Sequence, residues 1–390
     1  MKIALCTDNF FPATRGTENA VHNIALSLVT LGNEVCVFAP LKGYEKYGPF
    51  DYNKLPYRVE RSHSLKVAFD EQINFPHLSP CFKRSLRDFS PDVVHAHTPF
   101  NIGNFCISYA KNNNIPSVLT IHTKFSYSYN LHVPFGNNNM LHKVIVKSLQ
   151  KPIKKALMKA DCVTVVSQST IEEEISQYGV YKKIFVVRNG FPLKKDDNEQ
   201  SNNISENVIR LCFAGGISRE KNIRFILNTC RLLKERSIPY SLHLYGNGKD
   251  EKMYKSIASD LCIMPNVTFA GKKDREELMK LYEREDIFLF PSVFDNDSLA
   301  AIEARAKGVI TLAIKNTGPS ERIRDGIDGF CLDNSPVSFA DKIQELYYMK
   351  TDKPNDFMAL KNNAKNQKVH SWDEIAAQYL DIYKELLTNR

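Results

Sequence analysis

A strand, a polar turn and a helix follow one another in Phe290-Pro291-Ser292-Val293-Phe294-Asp295-Asn296-Asp297-Ser298-Leu299-Ala300-Ala301-Ile302-Glu303-Ala304. The strand ends at the proline, and a helix is expected to begin near Asp297 or Ser298. Backbone N–H groups around Ser298 and Leu299 would then lie at the positive end of the helix dipole, where anions bind readily. The alternative is purely structural, with Asp297 or Ser298 as the helix cap and Glu303 as a partly exposed helix residue.

The same order of strand, turn and helix recurs along most of the chain. The predicted strands are apolar runs without alternation, so both faces of each sheet should be covered by helices. This pattern predicts an α/β fold of two doubly wound parallel-sheet (Rossmann-like) domains facing a cleft, with ligands at the carboxyl ends of the strands. The predicted strands are 3–7, 35–39, 93–96, 117–121 and 162–166 in the first half, and 211–214, 241–245, 267–269, 287–290 and 309–313 in the second.

A polar stretch without apolar periodicity separates the two halves of the chain near residues 193–207. We interpret residues 194–207 as a linker between a first domain at 1–193 and a second domain at 208–371. The last segment, 372–390, is predicted to form a helix that packs back on the first domain.

Composition excludes several classes of protein. The 390 residues are 43% hydrophobic and 25% charged, as in folded globular domains. No apolar run reaches the ~18 residues that span a bilayer, and Asp8 interrupts any signal peptide, so a cytoplasmic protein is expected. Nine cysteines without a Cys-x-x-Cys pair predict neither a disulfide framework nor a zinc site. The net charge of +8 suits phosphate-bearing ligands but is too small to indicate nucleic acid.

The loop at 11–18 joins the first strand to the first helix. Its Gly16 would let a ligand approach the backbone at a helix N-terminus. The alternative is an ordinary turn with Thr17 as the N-cap. The loop is neither a Gly-x-Gly-x-x-Gly motif nor a Walker loop, which argues against nicotinamide and ATP as ligands.

The loop at 213–222 has the matching place in the second domain. It contains Gly215 and Gly216 and brings Arg219 and Lys221 to the start of a helix. Such cations suit a diphosphate. The alternative is that they are solvated charges at a helix start.

His122 follows a predicted strand, and His95 and His97 alternate at the end of another. A lone histidine in such a position is more often an ordinary loop residue than a catalytic one. No third ligand stands at a recognisable spacing, so no metal site is predicted.

A basic amphipathic helix is predicted at 141–160, with Pro152 interrupting or kinking it. Such a helix can lie on an anionic membrane surface. The alternative is a helix that packs its apolar face on the sheet and leaves its lysines solvated. The segment has no acidic residue, its lysines are 143, 147, 151, 154, 155 and 159, and its apolar face comprises Leu141, Val144, Ile145, Leu149, Ile153, Ala156 and Leu157.

Taken together, these segments resemble the retaining, nucleotide-sugar-dependent glycosyltransferases of GT-B architecture, the group called family four. The resemblance covers nearly the whole chain. The segment 122–127 also resembles the version found in members that glycosylate membrane lipids. The matching pieces are Pro12-x-x-x-Gly16-x-Glu18, Asp92-Val93-Val94-His95-Ala96-His97, Asn189-Gly190, Ser218-x-Glu220-Lys221-Asn222, Tyr245-Gly246-Asn247-Gly248, Asn266-Val267-x-Phe269-x-Gly271, and Pro291-Ser292 running into Glu303-Ala304.

The resemblance implies a role for each matching residue. Gly16 faces the donor diphosphate, His122 contacts the transferred sugar, and Lys221 neutralises the diphosphate leaving group. Asp295 and Glu303 occupy the two ends of the family's Glu-x7-Glu pattern, which bind the sugar hydroxyls and the ribose. The implied catalytic residues are Lys221, Asp295 and His122, and the implied donor-binding residues are Gly16, Gly216, Ser218, Gly246, Lys272, Asn296, Asp297, Ser298, Leu299 and Glu303.

Two positions depart from the family pattern. Asp295 is one methylene shorter than the usual glutamate, which would change the sugar preference or the geometry. Gly216 stands where most members carry an arginine beside the diphosphate, and Arg219 is the nearest cation in the sequence. Loss of a bidentate guanidinium would weaken stabilisation of the leaving group.

The resemblance implies retaining hexosyl transfer without a metal or other cofactor, with a nucleotide sugar, expected to be UDP-linked, as co-substrate. The first domain would bind the acceptor, a hydroxyl of a lipid or lipid-linked glycan in cell-envelope glycoconjugate synthesis, and the second the nucleotide sugar. The enzyme is expected in the cytoplasm or peripherally on the cytoplasmic face of the membrane. Two alternatives stay open: a nucleotide-sugar epimerase of the same architecture, and a sugar-nucleotide-binding protein with little catalysis, which Gly216 suggests.

Overall fold

Two parallel sheets organise the chain. The computed structural model describes residues 1–12, 16–41, 50–68, 71–125, 140–180, 183–191 and 207–389. The strands are β1 Lys2–Cys6, β2 Glu34–Pro40, β3 Arg58–Ser62, β4 Ser64–Ala68, β5 Glu71–Asn74, β6 Val93–Ala96, β7 Ser117–Ile121, β8 Cys162–Val165, β9 Ile184–Val186, β10 Ile209–Ala214, β11 Tyr240–Tyr245, β12 Val267–Gly271, β13 Ile287–Phe290, β14 Ile310–Ile314 and β15 Gly329–Leu332.

Helices connect most of these strands, as parallel pairing requires. The α-helices are α1 Gly16–Thr30, α2 Pro80–Phe89, α3 Asn101–Asn112, α4 Met140–Lys159, α5 Ile223–Glu235, α6 Glu251–Asp260, α7 Arg275–Tyr282, α8 Leu299–Ala306, α9 Pro336–Asp352, α10 Pro354–Lys365 and α11 Trp372–Thr388. Shorter helical turns are Tyr52–Lys54, Pro76–Leu78, Gln168–Thr170, Ile171–Ile175, Ser176–Tyr178, Arg219–Lys221, Met264–Asn266 and Pro319–Arg322.

The first compact unit comprises Met1–Pro192 and His370–Arg390. Its seven-stranded sheet has the order β3-β2-β1-β6-β7-β8-β9, with parallel pairing throughout. Side chains of α2, α3 and α4 form one apolar core with those of the central strands. The strand order reverses between β1 and β6, and in doubly wound folds such a reversal marks where ligands bind.

The end of the chain belongs to this first unit. The N–H of Phe191 donates to the carbonyl of His370 over 2.9 Å, and α11 follows and packs against α1. Ser371 and Glu374 form a capping box that fixes the start of α11. A Cβ on Gly190 would lie 2.8 Å from the Cα of Trp372, so only glycine allows this close approach.

The second compact unit comprises Leu193–Val369. Its six-stranded parallel sheet has the order β12-β11-β10-β13-β14-β15, the doubly wound order with its reversal between β10 and β13. Helices α5 and α9 contribute to an apolar core around the fully buried Phe213 and Phe288. The prediction of two parallel-sheet α/β domains is confirmed.

Some predictions differ from the structure, and one falls on residues that the structure does not describe. The predicted linker at 194–207 falls almost entirely outside the described residues. Strands β3, β4, β5, β9 and β15 escaped prediction because they are short and partly exposed or partly polar, and so lack a continuous apolar run. The helix α4 continues through Pro152 rather than breaking there.

The predicted apolar face of α4 is wrong in part. Ile153, Ala156 and Leu157 are buried, but Leu141, Val144 and Leu149 are exposed. The side-chain hydrogen bonds between α4 and α3 fall in the second half of α4, where Asn104 donates to the carbonyl of Pro152 and Lys159 to Ser108. The apolar periodicity thus combines a buried stripe with residues that face away from the core.

Candidate active site

The strand reversal in the second unit brings two loops together. Lys221 ends the helical turn Arg219–Lys221, and Asn222 follows in the left-handed conformation, with φ of 55°. The side-chain amide of Asn222 donates to the carbonyl of Pro291 over 3.1 Å. Ser292 donates to the carbonyl of Glu220 over 3.4 Å. These bonds fix the loop after β10 against the loop after β13.

Lys221 and Asp295 form an ion pair at this junction. The ammonium Nζ of Lys221 lies 2.5 Å from Oδ1 of Asp295, and the side chains are 26% and 21% exposed. The second carboxylate oxygen of Asp295, Oδ2, is buried and has no hydrogen-bond partner among the described residues. The pair therefore presents one cation and one unused acceptor at the carboxyl end of the sheet.

Helix α8 begins beside this pair. Ser298 is its N-cap, and the hydroxyl of Ser298 accepts a hydrogen bond from the N–H of Ala301 over 3.3 Å. Asn296 is 2% exposed, and neither polar atom of its amide has a partner among the residues the structure covers. A helix N-terminus and a buried unsatisfied amide together offer donors to an anion or to hydroxyl groups.

Asp297 is committed to a different contact. Its carboxylate is fully buried and accepts from Nε and Nη2 of Arg322, at 2.5 and 2.6 Å. Such a bidentate pair fixes both groups. Any donor contact by Asp297 would therefore come from its backbone, and its side chain orders the turn that leads into α8.

Glu303 lies in the second turn of α8 and accepts a hydrogen bond from Nε of Arg275 over 2.8 Å. Only 13% of the Glu303 side chain is exposed. Burial raises the pKa of Glu303, and the neighbouring guanidinium of Arg275 opposes that rise. Lys272 is exposed just after β12, a few residues before Arg275.

Three glycine-containing loops after β10, β11 and β12 are joined through their backbones. The N–H of Gly215 donates to the carbonyl of Tyr245, and that of Gly246 to the carbonyl of Gly271, both over 2.9 Å. A Cβ on Gly246 would lie 1.8 Å from the carbonyl oxygen of Gly215. Gly216 differs, because a Cβ there would meet no atom within 4 Å.

Ser218 and Arg219 also lie in the loop after β10. Ser218 has extended backbone and makes no side-chain cap. Arg219 is exposed, its N–H donates to Asp250 over 3.1 Å, and its charge acts on Tyr254 of α6. The loop geometry therefore ties Arg219 to α6.

In the first unit, His122 follows β7 and contacts a buried histidine. Its Nε2 lies 3.0 Å from Nδ1 of His97, and the two rings stack. The next ring, His95, is bonded at both nitrogens, to Tyr383 and to Thr120, each over 2.6 Å. Burial lowers the pKa of His122 to about 4 and of His95 to about 3, and also lowers that of His97, so all three are neutral near pH 7.

Gly16 is the first residue of α1 and is exposed, with nothing within 4 Å of where a Cβ would stand. Residues 13–15 of its loop lie outside the described residues, as do residues 126 and 127 of the segment after His122. Within the part of the chain that the structure describes, no group of three histidine, cysteine or acidic side chains is arranged to hold a metal ion.

The structure thus brings the predicted second-unit residues to the carboxyl ends of four adjacent strands, with Lys221 and Asp295 in direct contact. His122 and Gly16 follow strands of the first unit. Sequence reasoning gave no role to Arg275, Arg322 or Asn222. The two arginines contact acids 28 and 25 positions away, so no local pattern reveals them. Asn222 stood within a matching motif, but its left-handed backbone was not foreseen.

Comparison with known proteins gives the family. The model described as Glycosyltransferase Family 4 matches residues 14–195, and the one described as Glycosyl transferases group 1 matches residues 194–367. The chain is 22% identical to a GDP-mannose-dependent alpha-mannosyltransferase of Corynebacterium glutamicum, covering 99% of this chain and 89% of that protein. It is 25% identical to an alpha-monoglucosyldiacylglycerol synthase of Acholeplasma laidlawii, covering 89% and 86%.

A solved structure supports the fold over the whole chain. The crystal structure of HepE from Anabaena in complex with UDP matches with a TM-score of 0.73 at 16% identity, covering 99% of this chain and 100% of that one. The two family models together match most of both parallel-sheet units and include nearly all of the residues at the strand ends described above. The chain therefore belongs to the family-four glycosyltransferases of GT-B architecture.

Proposed function

We propose that this glycosyltransferase moves a hexose from a nucleotide diphosphate sugar, UDP-linked, to a hydroxyl of a lipid or lipid-linked glycan, with retention of configuration and without a metal. The observation that carries the donor proposal is the Lys221–Asp295 pair beside the N-terminus of α8. It combines a cation for the leaving diphosphate with a carboxylate for sugar hydroxyls.

The chemistry follows from where charge develops. The bond between the sugar C1 and the diphosphate oxygen breaks, and the acceptor oxygen bonds to C1 on the same face while its proton leaves with the diphosphate. Positive charge grows on the sugar ring and negative charge on the diphosphate. Lys221 and the first N–H groups of α8 stabilise that negative charge because they are already fixed in place. The unused oxygen of Asp295 accepts from a sugar hydroxyl.

Asn296 and Glu303 complete the donor site in this proposal. The buried amide of Asn296, without partners among the described residues, binds donor oxygens. Glu303 accepts hydrogen bonds from the ribose hydroxyls, and the guanidinium of Arg275 opposes the rise in the pKa of Glu303 that burial causes. Lys272 also belongs to the proposed donor-binding residues. In the first unit, Gly16 faces the donor diphosphate and His122 contacts the transferred sugar.

The donor proposal is tested by thermal unfolding with UDP-glucose, UDP-galactose, UDP-N-acetylglucosamine and GDP-mannose. A donor at a hundred times its Kd should stabilise the fold by about 2.7 kcal/mol. We expect a UDP-sugar to raise the melting temperature and the Asp295→Asn variant to lose that rise. A rise with GDP-mannose alone would contradict the nucleotide assignment. Donor converted without any acceptor would indicate an epimerase.

The lipid acceptor is proposed from the relative named for monoglucosyldiacylglycerol synthesis and from the surface of α4. The test incubates a labelled donor with vesicles that contain diacylglycerol. We expect labelled sugar to appear in a product that organic solvent extracts. Donor binding with no transfer to lipid, glycan or water would instead favour a sugar-nucleotide-binding protein.

We also propose that α4 binds an anionic membrane surface that presents the acceptor. Met140 and Val144 are 82% and 59% exposed, and they continue at helical spacing into Lys147, Lys151 and Lys155. Apolar side chains in the interface and lysines at anionic headgroups bind cooperatively. No helix among the described residues combines the length and apolar character that crossing a bilayer requires.

Sedimentation with vesicles tests the membrane proposal. The protein should pellet with phosphatidylglycerol vesicles at low salt and be released at high salt, because salt screens the lysines. Changing Lys147, Lys151 and Lys155 to glutamine should abolish pelleting. The matched control changes the exposed Lys252, Lys255 and Lys280 of the second unit and should leave it intact. Equal loss in both variants, or no pelleting of the wild type, would contradict the proposal.

A further inference from the structure

His97 has one ring nitrogen in use and one without a partner. Nδ1 lies 3.0 Å from Nε2 of His122. Nε2 is buried and has no hydrogen-bond partner among the described residues, and the whole side chain is 1% exposed. In the contact between the two rings, one nitrogen must carry a proton and donate a hydrogen bond, and the other must accept that hydrogen bond.

The unpartnered Nε2 of His97 indicates which of the two rings is the donor. A buried N–H group without an acceptor is rarer and more costly than a buried acceptor with an unused lone pair. If His97 carried its proton on Nε2, that N–H would be buried without an acceptor. With the proton on Nδ1, His97 donates to Nε2 of His122, and only a lone pair is left unused.

The ring of His97 is held in this orientation by its neighbours. The ring of His95 lies 4.1 Å away, centroid to centroid. His95 cannot rotate freely, because the hydroxyls of Tyr383 and Thr120 occupy both of its nitrogens. Tyr383 belongs to α11 and Thr120 to β7, so two elements hold the ring of His95.

We propose that His97 is a positioning residue that holds His122 in the neutral tautomer with its proton on Nδ1. His122 then presents an N–H donor, rather than a lone pair, to a hydroxyl oxygen of the transferred sugar. Its Nδ1 makes no hydrogen bond with the described residues. The donor contact rests on the proposed function, whereas the tautomer depends only on the histidine pair.

The tautomer is measured directly by NMR of protein labelled with ¹⁵N in its histidine rings, at pH 7. The expected spectrum of His122 has a protonated Nδ1 and a bare Nε2, with the signals assigned by their loss in His122→Gln. A protonated Nε2 on His122 in the wild type would overturn the proposal. This result holds whether or not the protein transfers sugar, so an inactive wild type would count against the proposed function alone.

Kinetics test the positioning role with two variants at the same site. His97→Asn keeps an N–H at the position of Nδ1 and should retain kcat within about threefold of the wild type. His97→Leu fills similar space without a donor and should lower kcat by about 10- to 100-fold, as loss of an orienting hydrogen bond does, with less change in the donor KM. Equal kcat in the two variants would contradict the proposal.

A third variant separates positioning from stability. Tyr383→Phe removes one hydrogen bond from His95 but leaves the bond of His95 to Thr120 and the His97–His122 contact in place. It should lower the melting temperature without changing the tautomer of His122 or the kcat. If Tyr383→Phe lowers kcat as much as His97→Leu does, the effect of His97 is structural and the proposal fails.

Discussion

At the scale of single residues, an ion pair fixes the position of the Lys221 ammonium group. Its ammonium group already has a counter-ion, Asp295, at 2.5 Å, and both side chains remain about a quarter exposed. A partly exposed pair of this kind contributes only modestly to stability. In the function proposed above, the pair fixes the ammonium group before an anion arrives, so that little reorganisation would be needed when the leaving group develops charge.

Replacing Lys221 by alanine should therefore affect turnover far more than folding. We expect kcat to fall by about 100- to 1,000-fold, the effect of removing one preorganised stabilising group, with a melting temperature within a few degrees of the wild type. Transfer assays and thermal unfolding of the same preparations measure both. Near-wild-type transfer by the folded variant would show that Lys221 does not stabilise the leaving group.

Gly216 allows the missing arginine of the family pattern to be restored. A side chain there meets open space, and the backbone is not in the left-handed region, so Gly216→Arg should leave the melting temperature unchanged. A new guanidinium contact to the diphosphate should raise kcat/KM by about tenfold or more. Gly216→Gln is the neutral control and should give no gain. An arginine variant no better than the glutamine one would indicate that the diphosphate is out of reach.

At the scale of elements, the loops of the proposed donor site depend on contacts between backbones. The turns after β10, β11 and β12 are joined by hydrogen bonds that only glycine at 246 and 248 allows, because a Cβ at either position would lie within 2.1 Å of a carbonyl oxygen. These glycines therefore set the distance between the loops. A direct ligand contact is a separate role that their conformation does not require.

Gly246→Ala should consequently destabilise the second unit. The added methyl group would overlap the carbonyl of Gly215 and force the two loops apart, at a cost of about 2–4 kcal/mol. Urea unfolding measures this change. Gly216→Ala, on the same pair of loops but in open space, is the matched control and should change the free energy of unfolding by less than about 0.5 kcal/mol. Equal stability of the two variants would contradict the close approach.

The elements also show what the sequence alone can predict. Strands such as 117–121 and 287–290 were predictable because a strand buried on both faces needs a continuous apolar run. The loop of Lys221 was predictable because glycines and cations follow such a run. Arg322 was not, because its partner Asp297 is distant in the chain and either residue alone looks like a surface charge. The exposed apolar residues of α4 were not predictable either, because periodicity does not say which apolar residues a neighbouring element covers.

At the scale of the whole molecule, the buried histidines make stability depend on pH. His95, His97 and His122 have pKa values lowered by burial, so the folded chain keeps them neutral while the unfolded chain protonates them near pH 6.5. Their contribution is complete above pH 6.5 and is lost as the pH falls towards about 4.

Between pH 7 and pH 5.5, the free energy of unfolding should therefore fall by roughly 1 kcal/mol for each buried histidine. Urea titrations at several pH values measure this slope. Replacing His97 by asparagine removes one titrating group, so the variant should lose less stability over the same range. A slope unchanged in the variant would show that His97 is not buried as a neutral group.

The return of residues 370–389 to the first unit has a consequence for biosynthesis. Helix α11 supplies Tyr379 and Tyr383, whose hydroxyls reach the polar side chains of β6 and β7. These tyrosines are synthesised after every strand of both sheets, so the first unit has that surface uncovered while the contiguous second unit can already fold. Termination of synthesis between residue 192 and residue 370 would leave the first unit without α11, even though every strand of its sheet had been made.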